Sequence, residues 1–577
     1  MTANHVIAKR INALQAKRRR LAALPPEKAT AAILDDERAL ELVHSFAEED
    51  LHLLLHDIGP EDALPLLALA SNKQWEYLVD IDTWNRDRMD NPAVLRWFDC
   101  MLAADPQRLS RLCLHDWMDL FELFARRNVT VRICDADQSP SDLGDDAFTF
   151  DNVFYFNVPD ILPASDLGMT ADDAAQYNRE CKEFFLKLFK RLAEADYQRF
   201  QNLIMEAAAL IPAEAEETLY RLRNVRLAEK GFVPFAEAVG IYQPMTPDAL
   251  RGRRRKTVSG GALGLQPPLS PGRFIDPDSP FSIALQHIDS PDTLRQLQVE
   301  FAALCNQLIV ADQKTVKTQE NLAEVVRKTG GYISIGLVQS FGRHEKNAAA
   351  LRRTLTAAPL VDFFRVGVYA VLQLKQRAKK WFTDSWFRRK ELPLTFWGDA
   401  WMGVLGGLLL KRPLYFDNYR TGVIYREFLS AADVDETSTT LAEIMAVDRL
   451  LATLDIAPAI PGTYNLLTCH SLLLTAWARH CTESREGTTI QPLPLKKFRP
   501  FYESLWESGP PPRRITAAAK TSFLKWISTR SGLAPSTLTD RLGGVFEKLF
   551  ESVENEYGSV APGDLDPRFI ILFLVQK

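Results

Sequence analysis

The sequence predicts a mainly α protein. A stack of short, solenoid-like helices forms an N-terminal domain with a small β-hairpin insert, and a linker separates it from an all-α C-terminal domain. Three observations carry this expectation. Apolar residues recur at helical spacing over most of the chain. A period of two appears between Val129 and Val158. Periodicity vanishes in the Gly-, Pro- and Ser-rich stretch from Arg251 to Pro280.

Residues 1–30 read as a basic amphipathic arm. Lys9, Arg10, Lys17, Arg18, Arg19, Arg20 and Lys28 face only Glu27, while Ile7, Ile11, Leu14 and Leu21 recur at helical spacing. Pro25 and Pro26 end that helix. Residues 31–128 read as a helical-repeat domain. Ala39, Leu42, Val43 and Phe46 make one apolar face, and Leu51, Leu54 and Leu55 make another. Gly59-Pro60 is a stop followed by a start, with Pro60 in a first helical turn. Ser71 is an N-cap, and Asn91-Pro92 and Asp105-Pro106 open two further helices. Each helix is too short to bury its apolar face alone, so the helices must stack on one another.

Residues 129–160 form the β insert. Val129, Val131 and Ile133 alternate with polar residues, and Asp151-Asn152 stands between aromatic runs as a hairpin turn. Residues 161–245 return to helix, with a stripe of Phe184, Phe185, Leu188 and Leu192. Leu219, Leu222, Val225 and Leu227 lead to a helix end at Gly231. Residues 246–285 are the linker. Residues 286–577 form the C-terminal helical domain, in which Leu360–Leu374 and Leu441–Leu454 are strongly apolar at helical spacing.

The bulk composition excludes several classes. The chain has 577 residues, 46% hydrophobic and 25% charged, with a formal net charge of -5. That is an ordinary globular balance, and no global field favours nucleic acid or an anionic membrane. Seven scattered cysteines without a Cys-x-x-Cys pair read as reduced thiols. The first twenty residues lack the apolar core of a signal peptide. The apolar runs Ala400–Leu410, Leu466–Trp477 and Phe569–Val575 fall short of the ~20 residues that span a bilayer. A cytoplasmic protein is expected.

The stretch EEDLHLLLHDIGPEDALPLLALASNKQWEYLVDIDTW, Glu48–Trp84, resembles the short-helix repeats in the cytosolic N-terminal domain of magnesium transporters of the MgtE type. The wider chain resembles an uncharacterised bacterial family, a domain of unknown function built on this segment. The matching stretches are IGPEDALPLLALAS, QWEYLVDIDTWNRDRMD, RNVRLAEKGFVPFAEAVGIYQP and DPRF. The resemblance implies a compact helical superhelix over the first quarter of the chain. It implies no transport, because the transporter's membrane helices are missing here.

Candidate chemistry is sparse. His52 and His56 lie four apart on one expected helix, a spacing that can hold a metal, with His44 as a third ligand if the fold returns it. The glutamate of an HExxH motif is absent, and the surrounding leucines favour histidines at a core edge. Asp80, Asp82, Asp87 and Asp90 form a carboxylate cluster interleaved with Arg86 and Arg88, beside Trp75, Trp84 and Trp97. Such a cluster suits a surface charge network or a partner-binding face, and less readily acid–base work or cation binding. Asp135–Asp146 loosely suggests a calcium loop, but Pro140 stands where that motif needs glycine. Cys469-His470 and His480-Cys481 on one helix would be ~16 Å apart, too far for one metal. RGRRRK, with Arg251, Arg253, Arg254 and Arg255, has cations for phosphates but no interleaved aromatics or reading module. RKTVSG resembles a basic phosphorylation site.

P-loop, nucleophile-elbow and dinucleotide-binding fingerprints are all missing. The leading expectation is therefore a helical scaffold or regulatory protein without a cofactor. Its protein partner would dock on Trp75, Trp84, Asp80, Asp82 and Asp87, with the basic segments as tethers. The alternatives are an all-α enzyme or metal/metabolite sensor, with the histidines or aspartates converging, and a nucleic-acid binder acting through the basic segments.

Overall fold

The structure is a computed structural model describing residues 13–134, 147–158, 171–255, 271–341, 347–458, 467–483 and 489–577, apart from residues 15 and 22. The fold is mainly α: 25 α-helices stand among the described residues, and the strands are two to four residues long. The chain divides into two compact units. The first comprises residues 1–243, 254–330 and 348–361; the second comprises 244–253, 331–347 and 362–577.

This division is not the one the composition suggests. Residues 254–330 belong with the N-terminal part; both ends of the expected linker carry structure of their own, and its residues 256–270 lie outside the described residues. The ends hold helices Pro247–Arg251 and Pro280–Gln286 and a 3-10 turn at Pro271–Phe274. Polar anchors explain the first unit's reach along the chain. Arg255 pairs with Glu300 at 2.7 Å and donates to the carbonyls of Leu355 and Ala358. The Asn306 amide donates to the carbonyl of Lys230 at 2.6 Å.

The first unit opens with helical residues 16–21. Arg18 in that stretch is buried and donates to the carbonyl of Ser45, so the basic arm is docked there and only partly a solvated face. Next come α1 (Pro26–Leu34), α2 (Ala39–His44), α3 (Glu48–Ile58), α4 (Leu64–Leu69), α5 (Asn72–Asp82), α6 (Asn91–Ala104), α7 (Pro106–Leu114) and α8 (Met118–Asn128). The expected starts at Ser71 and Asp105 hold at α5 and α7, while at α6 the cap is Asp90, one residue before the expected Asn91-Pro92. Ser71 forms a capping box with Gln74, while the side chains of Asp90 and Asp105 accept from Ala93 N and Arg108 N. Such caps contribute ~1 kcal/mol each. Pro60 lies in a turn, and it is Pro65 that occupies the first turn of the next helix, α4.

The insert is a three-stranded antiparallel sheet, β1 (Thr130–Ile133), β2 (Phe148–Thr149) and β3 (Phe154–Asn157), with β3 central. Asp151 accepts from the amides of Val153 and Phe154 at 2.8 Å each and turns the chain between β2 and β3. Then α9 (Ala171–Ala195), α10 (Tyr197–Ala209) and α11 (Pro212–Ala228) cover the stack. An aromatic core joins these layers. Phe98 stacks on Trp117, Phe124 on Phe185, and Phe189 meets Phe156 of β3 and Phe200 of α10. Burying each such ring stabilises the fold by roughly 1.5–3 kcal/mol. On α11 only Leu219 and Leu227 of the expected stripe are buried, while Leu222 and Val225 are exposed.

The second unit contains most of the remaining helices. Two of them begin in the first unit, α12 (Gln319–Phe341) and α13 (Leu360–Asp384). Within the second unit they cross where both carry glycine. A Cβ on Gly336 would stand 1.9 Å from the carbonyl oxygen of Phe363, and one on Gly367 would stand 2.2 Å from that of Tyr332. Further on come α14 (Gly398–Leu409), the hairpin β4 (Tyr415–Phe416) and β5 (Tyr425–Arg426), α15 (Ala431–Leu454), α16 (Cys469–Thr482) and α17 (Pro535–Tyr557). Arg426 locks the hairpin to α15 by pairing with Asp417 and Asp433 at 2.8 Å each. Among the described residues, no single helix is long and apolar enough to cross a membrane.

Candidate metal centre

Helix α3 carries three acidic residues, Glu48, Glu49 and Asp50, in its first turn, where the helix dipole favours negative charge. Leu51 and Leu55 pack into the core of the stack. The same register sets His52 and His56 on one face, one turn apart. Their ring centroids are 4.6 Å apart. Helix α5 begins at the Ser71 capping box and delivers Asp82 as its last residue.

These three side chains converge. Asp82 Oδ1 lies 3.1 Å from His52 Nε2, and Asp82 Oδ2 lies 2.6 Å from His56 Nε2. One donor atom from each residue falls within 4.8 Å of the other two, the spacing of a set that can share one metal ion. The side chains are 4%, 11% and 5% exposed for His52, His56 and Asp82, so His56 is the most open of the three.

The surroundings orient the set. Trp97 Nε1 on α6 donates to Asp82 Oδ2 at 3.1 Å. The ring of Tyr77 packs edge-on against His52, and that of Trp97 packs edge-on against His56. Outer partners of this kind fix the direction of ligand atoms. Burial opposes ionisation of Asp82, but hydrogen bonds from His52 and His56, and then their charge, overcome it and hold the carboxyl well below its usual range. A cavity of about 290 Å³ lies beside His56, bordered also by Pro60, Glu61, Asp62, Arg96 and Lys317.

The other sequence candidates fall elsewhere. His44 is exposed at the end of α2 and outside the cluster. Asp80 is buried and held by Arg226 through two bonds of 2.8 and 2.7 Å, with Arg223 donating to its carbonyl. Trp75 is fully buried, donates to the carbonyl of Leu67 at 2.8 Å, and has the Arg108 guanidinium over its ring. Trp84 is half-buried beside Tyr220 and Arg223. Asp87 is exposed. In the basic segment, Arg251, Arg253 and Arg254 are exposed and Arg255 is the anchored one. The Asp135–Asp146 loop and the RKTVSG residues from Lys256 onward lie outside the described residues.

Sequence reasoning thus found the histidine pair and the aspartate cluster as separate features. It did not join Asp82 to His52 and His56, because nothing local says that the end of α5 returns to the face of α3. Helical phase carried part of the signal: Asp82 and Leu78 share a face of α5, and Leu78 is buried.

The fold and the site define a mainly helical protein with a buried His₂Asp cluster of metal-ligand type in its N-terminal unit. A family model described as a family of unknown function, DUF6178, matches residues 7–576, and the chain belongs to that family. No curated protein and no solved structure matches the chain. The resemblance of residues 48–84 to a transporter's cytosolic domain therefore carries no argument beyond the sequence.

Proposed function

We propose that the N-terminal unit binds a divalent transition-metal ion through His52, His56 and Asp82, and that the protein is a metal-responsive helical regulator. One observation carries this reading: two imidazoles and a carboxylate from two helices converge, with Trp97 orienting the carboxylate. Two nitrogens and one oxygen suit zinc and its neighbours better than calcium or magnesium, which prefer oxygen alone. Three protein ligands leave a fourth position, which water from the cavity beside His56 would fill. The ion would tie α3 to α5 and stabilise the stack by ~2.7 kcal/mol at a concentration a hundred times its dissociation constant. This reading adds a metal where the sequence alone called for no cofactor. A protein-scaffold role draws less support, because Trp75 and Asp80 are spent on internal packing and an internal ion pair.

The test uses the full-length protein, stripped with chelator and titrated with Co(II) and then Zn(II). Saturable uptake of one equivalent, with the intense visible bands of low-symmetry Co(II) and their displacement by Zn(II), is the expected result. His56→Ala should abolish those bands while far-ultraviolet circular dichroism stays that of the parent. Uptake that never saturates, or that His56→Ala leaves unchanged in a folded protein, would sink the proposal.

A further inference from the structure

The second unit contains a cavity of about 430 Å³ that the metal reading does not use. Its walls include four aromatic residues: Trp397 just before α14, Trp401 in its first turn, and Tyr415 and Phe416 from β4. His470, the second residue of α16, also lines it, with the ring of Trp401 packed edge-on against its imidazole. The mouth carries two ion pairs and, in excess of them, the carboxylate of Asp399. Arg420 pairs with Glu436 at 2.9 Å, and Lys548 with Glu443 at 3.3 Å.

Two buried polar atoms on these lining residues, His470 Nε2 and Trp397 Nε1, have no hydrogen-bond partner among the described residues. Leaving such an atom unsatisfied costs about 1–3 kcal/mol, so a ligand that partners both gains by binding here. Burial pushes the His470 imidazole down to about 4, so the ring is neutral at neutral pH. Its Nε2 then accepts or donates according to tautomer, whereas an indole N–H only donates. The residues around the cavity thus combine flat apolar rings with one fixed donor and one adaptable nitrogen buried just behind its wall.

We infer that this cavity is a binding site for a planar nitrogen heterocycle of one or two rings, stacked on Trp401 and hydrogen-bonded to His470 and Trp397. A heterocycle fits because its ring edge offers acceptors and donors side by side and its faces suit aromatic walls. The carboxylate in excess at the mouth disfavours an anion. The volume exceeds that of a bare two-ring base, which leaves room for a substituent toward the mouth.

The experiment is calorimetric and NMR titration of the full-length protein with hypoxanthine, adenosine and, as a non-planar control, cyclohexanol. Saturable binding of hypoxanthine or adenosine below about 1 mM, without binding of cyclohexanol, is expected. Trp401→Ala and His470→Phe should each weaken it about tenfold or more. In the parent protein, the His470 ring-proton resonance, assigned by its loss in His470→Phe, should shift on titration, which gives a readout even if Trp401→Ala folds poorly. Three results would overturn the inference: no saturable binding of either heterocycle, equal binding of cyclohexanol, or a titration that leaves the His470 resonance unmoved.

Discussion

His56 Nε2 and Asp82 Oδ2 stand 2.6 Å apart, although 26 residues separate them in the chain. The contact joins the last turn of α3 to the end of α5, and Trp97 of α6 donates to the same carboxylate oxygen at 3.1 Å. Three helices of the stack therefore meet on one buried carboxylate.

Removing that carboxylate should be costly even without metal. Asp82→Ala leaves two imidazoles and an indole N–H without their acceptor. In chelator-treated protein, urea unfolding should show a loss of about 3–5 kcal/mol, the range for breaking a buried charged network. Asp82→Asn keeps one acceptor oxygen and should lose clearly less. Equal losses for the two variants would show that an acceptor oxygen at this position is not what stabilises the stack.

A second buried carboxyl makes stability depend on pH in the opposite sense from most acids. Glu122 of α8 is buried, and burial, then the hydrogen bond and charge of Glu206, push it up to about 8. The folded carboxyl keeps its proton to about 8, whereas its ordinary value is 4.5. The folded state therefore holds more protons in that window, and this group's contribution falls as pH rises through it. Glu122→Gln should raise the melting temperature near pH ~8.5 and change it little near pH ~5. A pH-independent effect would contradict the assignment.

The acid side should depend on His470. Its folded value is lowered from 6.5 to about 4, so the unfolded chain binds the proton first as pH falls, and stability drops between those values. The full difference amounts to about 3 kcal/mol. Asp399, Glu436, Glu443, Arg420 and Lys548 also line the cavity, so His470→Phe is the comparison that isolates the imidazole. Urea unfolding of that variant should show a shallower decline from pH 6.5 to 4 than the parent, and parallel declines would rule the group out.

The helix crossing at Gly336 and Gly367 leaves no room for a methyl group. Gly367→Ala would set a carbon 2.2 Å from the carbonyl oxygen of Tyr332, so α12 and α13 must separate. Overpacking of this kind costs about 1–3 kcal/mol or more. The midpoint of urea unfolding should fall accordingly, and an unchanged midpoint would show that the crossing relaxes freely.

Local rules made much of the fold legible. Ser71, Asp90 and Asp105 open helices because a short polar side chain satisfies free amides there, and that choice depends only on neighbours. Asp151-Asn152 turns its hairpin for the same local reason. Leu222 and Val225 mislead because helical period assigns a face but not the element that covers it. Arg18 and Asp80 look like surface charges, yet each is buried against a partner far along the chain.

The sequence by itself determined the mainly α class, the helix starts at Ser71 and Asp105, the small β insert and the pairing of His52 with His56 on one face. Helix and turn formation is a competition among groups a few residues apart, so those residues suffice to decide it. Tertiary structure alone decided that Asp82 completes the histidine pair, that Trp75 is interior, and that residues 254–330 belong with the first unit. These depend on which apolar faces bury each other most completely, and burial is a property of the whole packed chain.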